Sequence, residues 1–239
     1  MQLNEFDRPI IKIHQRLNPK LWENHHLKTE IREKCLAIAR EFESFIGLDN
    51  LDIVDVIITG SNAAYAYTDH SDLDIHLMVD GTPDLEQRQL YDAKKGLWNY
   101  QHDIVIKGLP VEMYVQGTDE AHESNGMYSI LKQQWIKIPS KTKPQIDDAG
   151  VQAKVRHMTN AIQSALASDV LDMARAIKEK IMNMRKQGLA ATGEWSTENI
   201  AFKQLRNSGL IDDLSQHILD LEDQELSLEQ LGEIQCVEE

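Results

Sequence analysis

The chain has 239 residues, 41% hydrophobic and 27% charged, a balance that excludes a wholly disordered polymer. Its formal charge of −14 is uneven: residues 151–210 hold 9 Lys+Arg against 5 Asp+Glu, whereas residues 211–239 hold none against 10. That balance argues against a sequence-independent grip on long nucleic acid, which needs a basic surface to release phosphate counterions, and the lack of a long apolar run argues against a membrane span.

Taken in chain order, Leu27, Ile31, Ile38, Phe42 and Phe45 recur at helical spacing, so residues 27–46 are expected as an amphipathic helix closed by Gly47. Residues 53–58 are mostly β-branched and run straight into Gly60-Ser61, which predicts a buried strand. Leu73, Ile75, Leu77 and Val79 alternate with polar residues and predict a second strand over 73–79. A helix is expected over 84–101, then a strand pair at 103–107 and 110–116 joined by Gly108. The run Pro139-Ser-Lys-Thr-Lys-Pro144 has the composition of a linker, and beyond it residues 150–187 and 197–221 show helical periodicity alone. The expected organisation is an α/β domain over 1–144 with an N-terminal helix, then a helical domain over 145–239 ending in an acidic tail. Leu214, Ile218 and Leu221 are expected to dock a helix up to about residue 221. Cys35 and Cys236 form no metal-type spacing and no disulfide framework, and residues 1–15 have no signal-peptide core. A reducing, cytoplasmic setting is the expectation.

The stretch that carries chemistry is Gly60-Ser61, ten residues, then Asp72-Leu-Asp74. Side chains two apart on a strand share a face, so Asp72 and Asp74 project together and His76 continues their row. Paired carboxylates repel unless a cation lies between them, and hard oxygen ligands suit Mg²⁺ or Mn²⁺. A solvent-facing acidic edge is the plain alternative. Gly60 allows close backbone approach, and the small residues Asn62-Ala63-Ala64 suit a short helix whose amides face an anion. Glu112 places a further acid inside the otherwise apolar run Val111-Glu-Met-Tyr-Val115.

An apolar residue, Gly-Ser, about ten residues and Asp-x-Asp together resemble the signature of the polymerase-β-like nucleotidyltransferase superfamily, with Glu112 matching its third acid on a later strand. The resemblance covers roughly residues 50–116. The wider run, with Val111–Gln116 and Trp135-Ile-Lys-Ile-Pro139, is similar to uncharacterised nucleotidyltransferase-like proteins of tailed phages, whose setting would be the host cytoplasm. It implies an α/β (α+β) nucleotidyltransferase fold, a short mixed sheet flanked by helices with the acids at one end. It also implies Asp72, Asp74 and Glu112 as metal-binding and catalytic residues, Mg²⁺ (or Mn²⁺) as cofactor, and Gly60 and Ser61 as the triphosphate cradle. Glu in place of Asp at the third position lengthens the reach by one methylene.

Three cations are secondary nucleotide-binding candidates. Lys94 falls within an apolar stripe formed by Leu90, Tyr91, Leu97 and Trp98, so it either snorkels or meets an anion. Lys203 and Arg206 lie on neighbouring positions of a helix that starts at Ser196 or Thr197; they face solvent or clamp phosphate. Tyr128 and Trp135 pack in the core or stack a base. The functional expectation is transfer of a nucleoside monophosphate from an NTP, ATP first among them, to a hydroxyl acceptor that is a small molecule, a protein or an RNA 3′ end, which the resemblance implies is a two-metal in-line displacement. The competing reading is a non-catalytic nucleotide-binding or regulatory module that keeps the fold.

Overall fold

The computed structural model describes residues 13–47, 51–69, 71–120, 124–141 and 145–228. They divide into two compact units, 13–141 and 145–228. The expected mixed α/β class is observed: the first unit holds a six-stranded mixed sheet with helices, and the second is helical.

The first unit begins with a two-residue hairpin, β1 (Trp22–Glu23) and β2 (His26–Leu27), ahead of α1 (Thr29–Ile46). Helix α1 buries Ile31, Cys35, Ile38, Phe42 and Ile46, a stripe at spacings of three and four. Gly47 ends it in the left-handed conformation (φ 68°), its N–H donating to Glu43 O. Burial pushes the Cys35 thiol up to about 12, which leaves it inert at neutral pH.

The sheet then receives β3 (Ile53–Thr59) and β4 (Leu73–Val79), α2 (Leu85–Gln101), β5 (Val105–Ile106), β6 (Leu109–Gly117), β7 (Met127–Ser129) and β8 (Gln134–Lys137). Its spatial order is β5-β6-β4-β3-β7-β8. β4 and β6 are parallel, and the other neighbours are antiparallel. Helix α2 lies in the connection that parallel pairing requires. It opens on a capping box in which Asp84 accepts from the Gln87 N–H and Gln87 accepts from the Asp84 N–H.

Period-two alternation splits the sheet into two faces. One carries Val56, Ile58, Leu73, Ile75, Leu77, Val111 and Met113, which pack with the buried residues of α1 and with Trp98 of α2. Fully burying each such side chain contributes about 2 kcal/mol. Tyr128 and Trp135 belong here as well. Trp22 meets Tyr128 edge-on and stacks on Trp135 at 4.8 Å between centroids, so both rings are structural and no base-stacking platform. The other face carries the functional candidates.

The second unit contains α3 (Asp148–Leu166), α4 (Leu171–Thr192), α5 (Thr197–Asn207) and α6 (Leu210–Leu226). The helical stretch expected over 150–187 is two helices, because the chain leaves helical geometry at Ala167–Val170 before Leu171 is buried again. Asp147 and Ser196 cap α3 and α5 by accepting the N–H groups of Gly150 and Asn199. Gly188 lets α4 approach the start of α5, since a Cβ there would lie 2.6 Å from Ser196 Oγ. The Lys154 ammonium, 3.0 Å from Glu198, holds that carboxyl below the usual range. Among the described residues no helix is long and apolar enough to cross a membrane.

Helix α6 runs five residues past the expected end at 221. Its buried positions are Leu210, Leu214, Ile218 and Leu221, whereas Leu226 is 84% exposed. Leu231 and Ile234 of the acidic tail lie outside the described residues. The division gives a measurable contrast. Leu221→Ala should cost about 2–4 kcal/mol in urea unfolding, and Leu226→Ala less than about 0.5 kcal/mol.

Candidate functional site

The strands bring together what the sequence separates by up to 61 positions. On the face away from α1, Thr59 of β3 is the register partner of Asp74 on β4, and Asp74 is the partner of Glu112 on β6. The next row is Ile57, His76 and Tyr114, and the one after it brings Asp55, Met78 and Gln116 together. Asp72 lies two residues before Asp74, one position ahead of β4. Asp72, Asp74 and Glu112 are all half-buried, so the acids share one end of the sheet.

Gly60 ends β3 with φ 72° and ψ −160°, a region essentially restricted to glycine. A Cβ on Gly60 would collide with Asp74 Oδ2 and stand 3.0 Å from its Cγ. Bare backbone therefore borders the Asp74 carboxylate. Ser61 Oγ donates to Ser71 Oγ (2.8 Å), and Ser71 Oγ also accepts the Thr68 N–H (2.9 Å), which places hydroxyls along the approach to Asp72. The Gly60 N–H donates to Ser124 Oγ (3.1 Å).

The helix expected after Ser61 is a single 3₁₀ turn, Ser61–Ala63, and Ala64 is already extended. The reason lies in Asn62, which is wholly buried. Its Nδ2 donates to the carbonyls of Ser71 and Asp72 (3.3 and 2.8 Å), and its Oδ1 accepts from Asn18 Nδ2 (2.8 Å). Trp22 Nε1 donates to the Asn62 carbonyl (2.7 Å). Those bonds tie the turn back to the start of β4 and prevent a helix from propagating. No row of helix amides faces the site; what remains there is the Gly60 backbone and hydroxyls.

Glu112 accepts a hydrogen bond from the Tyr114 hydroxyl. The Tyr114 ring stacks on His76 (4.7 Å between centroids, 25° apart), and Lys95 Nζ stands 4.3 Å from its centroid. His76 donates from Nδ1 to Gln116 Oε1 (2.7 Å). His76 thus supports its row, with an amide as its polar partner.

The secondary cations are placed as follows. Lys94 Nζ donates to the Phe45 carbonyl (3.3 Å) and lies 5.3 Å from the Phe45 ring centroid, so the C-terminal end of α1 meets its charge. Lys95, at the margin of the apolar stripe, is the lysine beside the row that contains Tyr114. Lys203 Nζ is 3.3 Å from Glu194 Oε1, and Arg206 occupies the last turn of α5. Both belong to the helical unit.

The acids supply only oxygen donors, the type that Mg²⁺ and Mn²⁺ prefer, and Gly60 keeps side-chain atoms out of the space beside Asp74. The residues fit a divalent ion. Among the described residues no three His, Cys, Asp or Glu side chains are already gathered as a ligand set.

No family model matches the chain, and no curated protein matches it. Among solved structures, it is similar to the CdnE cyclic dinucleotide synthase of Elizabethkingia meningoseptica, determined with GTP and Apcpp. Identity there is 11%, coverage is 81% of this chain and 79% of that one, and the TM-score is 0.25. It is also similar to the STING-associated CdnE c-di-GMP synthase of Capnocytophaga granulosa, at 10% identity, 83% and 84% coverage and a TM-score of 0.22. Likeness at this level carries no argument about activity, which rests on the site itself.

Gly60→Ala and Gly81→Ala separate conformational strain from collision. Both positions have positive φ, yet a Cβ at Gly81 meets nothing within 4 Å. Gly81→Ala should cost about 1–2 kcal/mol in urea unfolding. Gly60→Ala should cost measurably more, because the Asp74 carboxylate must also move.

Proposed function

We propose that this protein is a divalent-metal-dependent nucleotidyltransferase of the polymerase-β-like type, moving a nucleoside monophosphate from an NTP to a hydroxyl acceptor. One observation carries the reading: Gly60 backbone, Asp74 and Glu112 form a contiguous site at one sheet end, with Asp72 two residues before Asp74. A fortuitous acidic edge has no need of a glycine-only conformation beside one of its carboxylates.

In this proposal Asp72, Asp74 and Glu112 would hold two divalent ions, which when bound would supply Lewis-acid neutralisation of charge on the α-phosphate and the acceptor oxygen. The chain's own residues do the remainder. The Gly60 backbone gives the triphosphate close approach to Asp74, and the Ser61 hydroxyl turns from Ser71 to a phosphate oxygen. Glu112 takes the acceptor's proton on the oxygen that Tyr114 does not occupy. The acceptor oxygen bonds to the α-phosphorus as the bond to pyrophosphate breaks in line, so positioning and charge stabilisation supply most of the rate. In this proposal residues 1–144 form the catalytic domain.

Asp74→Asn tests the reading. It should reduce pyrophosphate release by at least about 10³-fold, the scale on which a single charge-stabilising group acts in such sites. The thermal midpoint should hold or rise slightly, since the substitution relieves carboxylate repulsion. Near-native turnover in Asp74→Asn would remove the paired aspartates from the mechanism.

A further inference from the structure

The third acid is a glutamate, and its extra methylene adds a rotatable bond that an aspartate lacks. A ligand or base that must reach a defined point loses rate or affinity when it samples several rotamers. The structure supplies a restraint for that freedom. Tyr114 lies two residues along β6 on the same face, and its hydroxyl donates to Glu112 Oε2. The Tyr114 ring itself meets the stacked His76 imidazole and Lys95 Nζ. His76 in turn is fixed through its hydrogen bond to Gln116.

Resting on the nucleotidyltransferase reading, we infer that Tyr114 is the positioning residue for Glu112, with Lys95 and His76 holding its ring. The hydroxyl occupies one lone pair of a carboxylate that has about four acceptor sites. The remainder stay available for an ion or for the acceptor's proton. Because the bond goes to the acid and not to the substrate, Tyr114 acts through Glu112 alone. The same arrangement explains why the ring meets an ammonium at its face. A cation over a tyrosine ring makes its hydroxyl a better donor, and that strengthens the bond to the carboxylate.

Tyr114→Phe removes the hydroxyl and keeps the ring. The probe is Mn²⁺ alone, titrated into the full chain and followed by electron paramagnetic resonance of the free ion, with turnover measured separately in Mg²⁺. Tyr114→Phe should weaken Mn²⁺ binding by about tenfold, as loss of a ligand's hydrogen-bond partner does elsewhere. It should lower kcat with the NTP KM unchanged, and the melting point should stay near the native value. In a Glu112→Ala background the same substitution should have no further effect on Mn²⁺. Lys95→Met, which leaves the hydroxyl in place, should weaken Mn²⁺ in the same direction by a smaller factor, again only when Glu112 is present. Native Mn²⁺ affinity in Tyr114→Phe, or an undiminished loss in the Glu112→Ala background, would overturn the inference and leave the function reading standing. If Asp74→Asn and the native chain bind Mn²⁺ equally, the metal site itself is absent, and both readings fall.

Discussion

Where β3 ends, the backbone of Gly60 lies directly under the carboxylate of Asp74, with no side chain between them. The positions of the other site residues follow from this contact. A substituent at Gly60 would push the carboxylate away, and φ 72° with ψ −160° excludes other residues on conformational grounds as well. The antiparallel register of β3 and β4 fixes which residue meets the glycine turn. The parallel register of β4 and β6 then fixes which residue stands beside Asp74. A slip of one residue in either ladder would turn the acids to the core face and bury Leu73 and Ile75 on the wrong side. The hydrophobic face therefore enforces the position of the polar one.

Asn62 does for the turn what the apolar face does for the strands. Fully buried, it satisfies two carbonyls that precede β4 and accepts from Asn18, while Trp22 donates to its carbonyl. A buried polar group is costly unless paired, so the network has one satisfactory arrangement. It holds the Gly60-Ser61 turn and the Asp72 backbone at fixed separation. Asp55, also on the site face at the far end of β3, is satisfied in a similar way by the Val56 N–H, Ser129 Oγ and the Lys132 ammonium. These local bonds give a rigid frame around carboxylates that repel one another.

Much of this was legible in the sequence, for reasons that belong to particular residues. The alternation Leu73, Ile75, Leu77, Val79 marks β4 with its bounds, and the helix expected over 84–101 is α2 within a residue. Strands β7 and β8 were not legible as strands, because three and four residues with a turn between them carry too little periodicity. The break at Ala167–Val170 carries no Gly or Pro, and its signal was the pair Ser168-Asp169, residue types that favour turns and helix caps. The helix expected after Ser61 failed because a tertiary network, centred on Asn62, overrides local preference. Tyr114 could have been found by the period-two rule that joined Asp72 to Asp74, since it stands two residues from Glu112. Lys94 was singled out over Lys95 because a helical wheel assigns stripe membership without showing which side of the stripe abuts a strand edge.

Nucleotidyl transfer is distinguished from other NTP chemistry by the fate of the phosphates. The full chain, Mg²⁺ and each of the four NTPs, labelled either at the α- or at the γ-phosphate, would be incubated with a cell lysate as the source of acceptor. The α-label should pass into an acceptor while the γ-label leaves in pyrophosphate, and Asp74→Asn should do neither. Transfer of the γ-label to an acceptor, or release of labelled orthophosphate with no α-label transferred, would contradict nucleotidyl transfer.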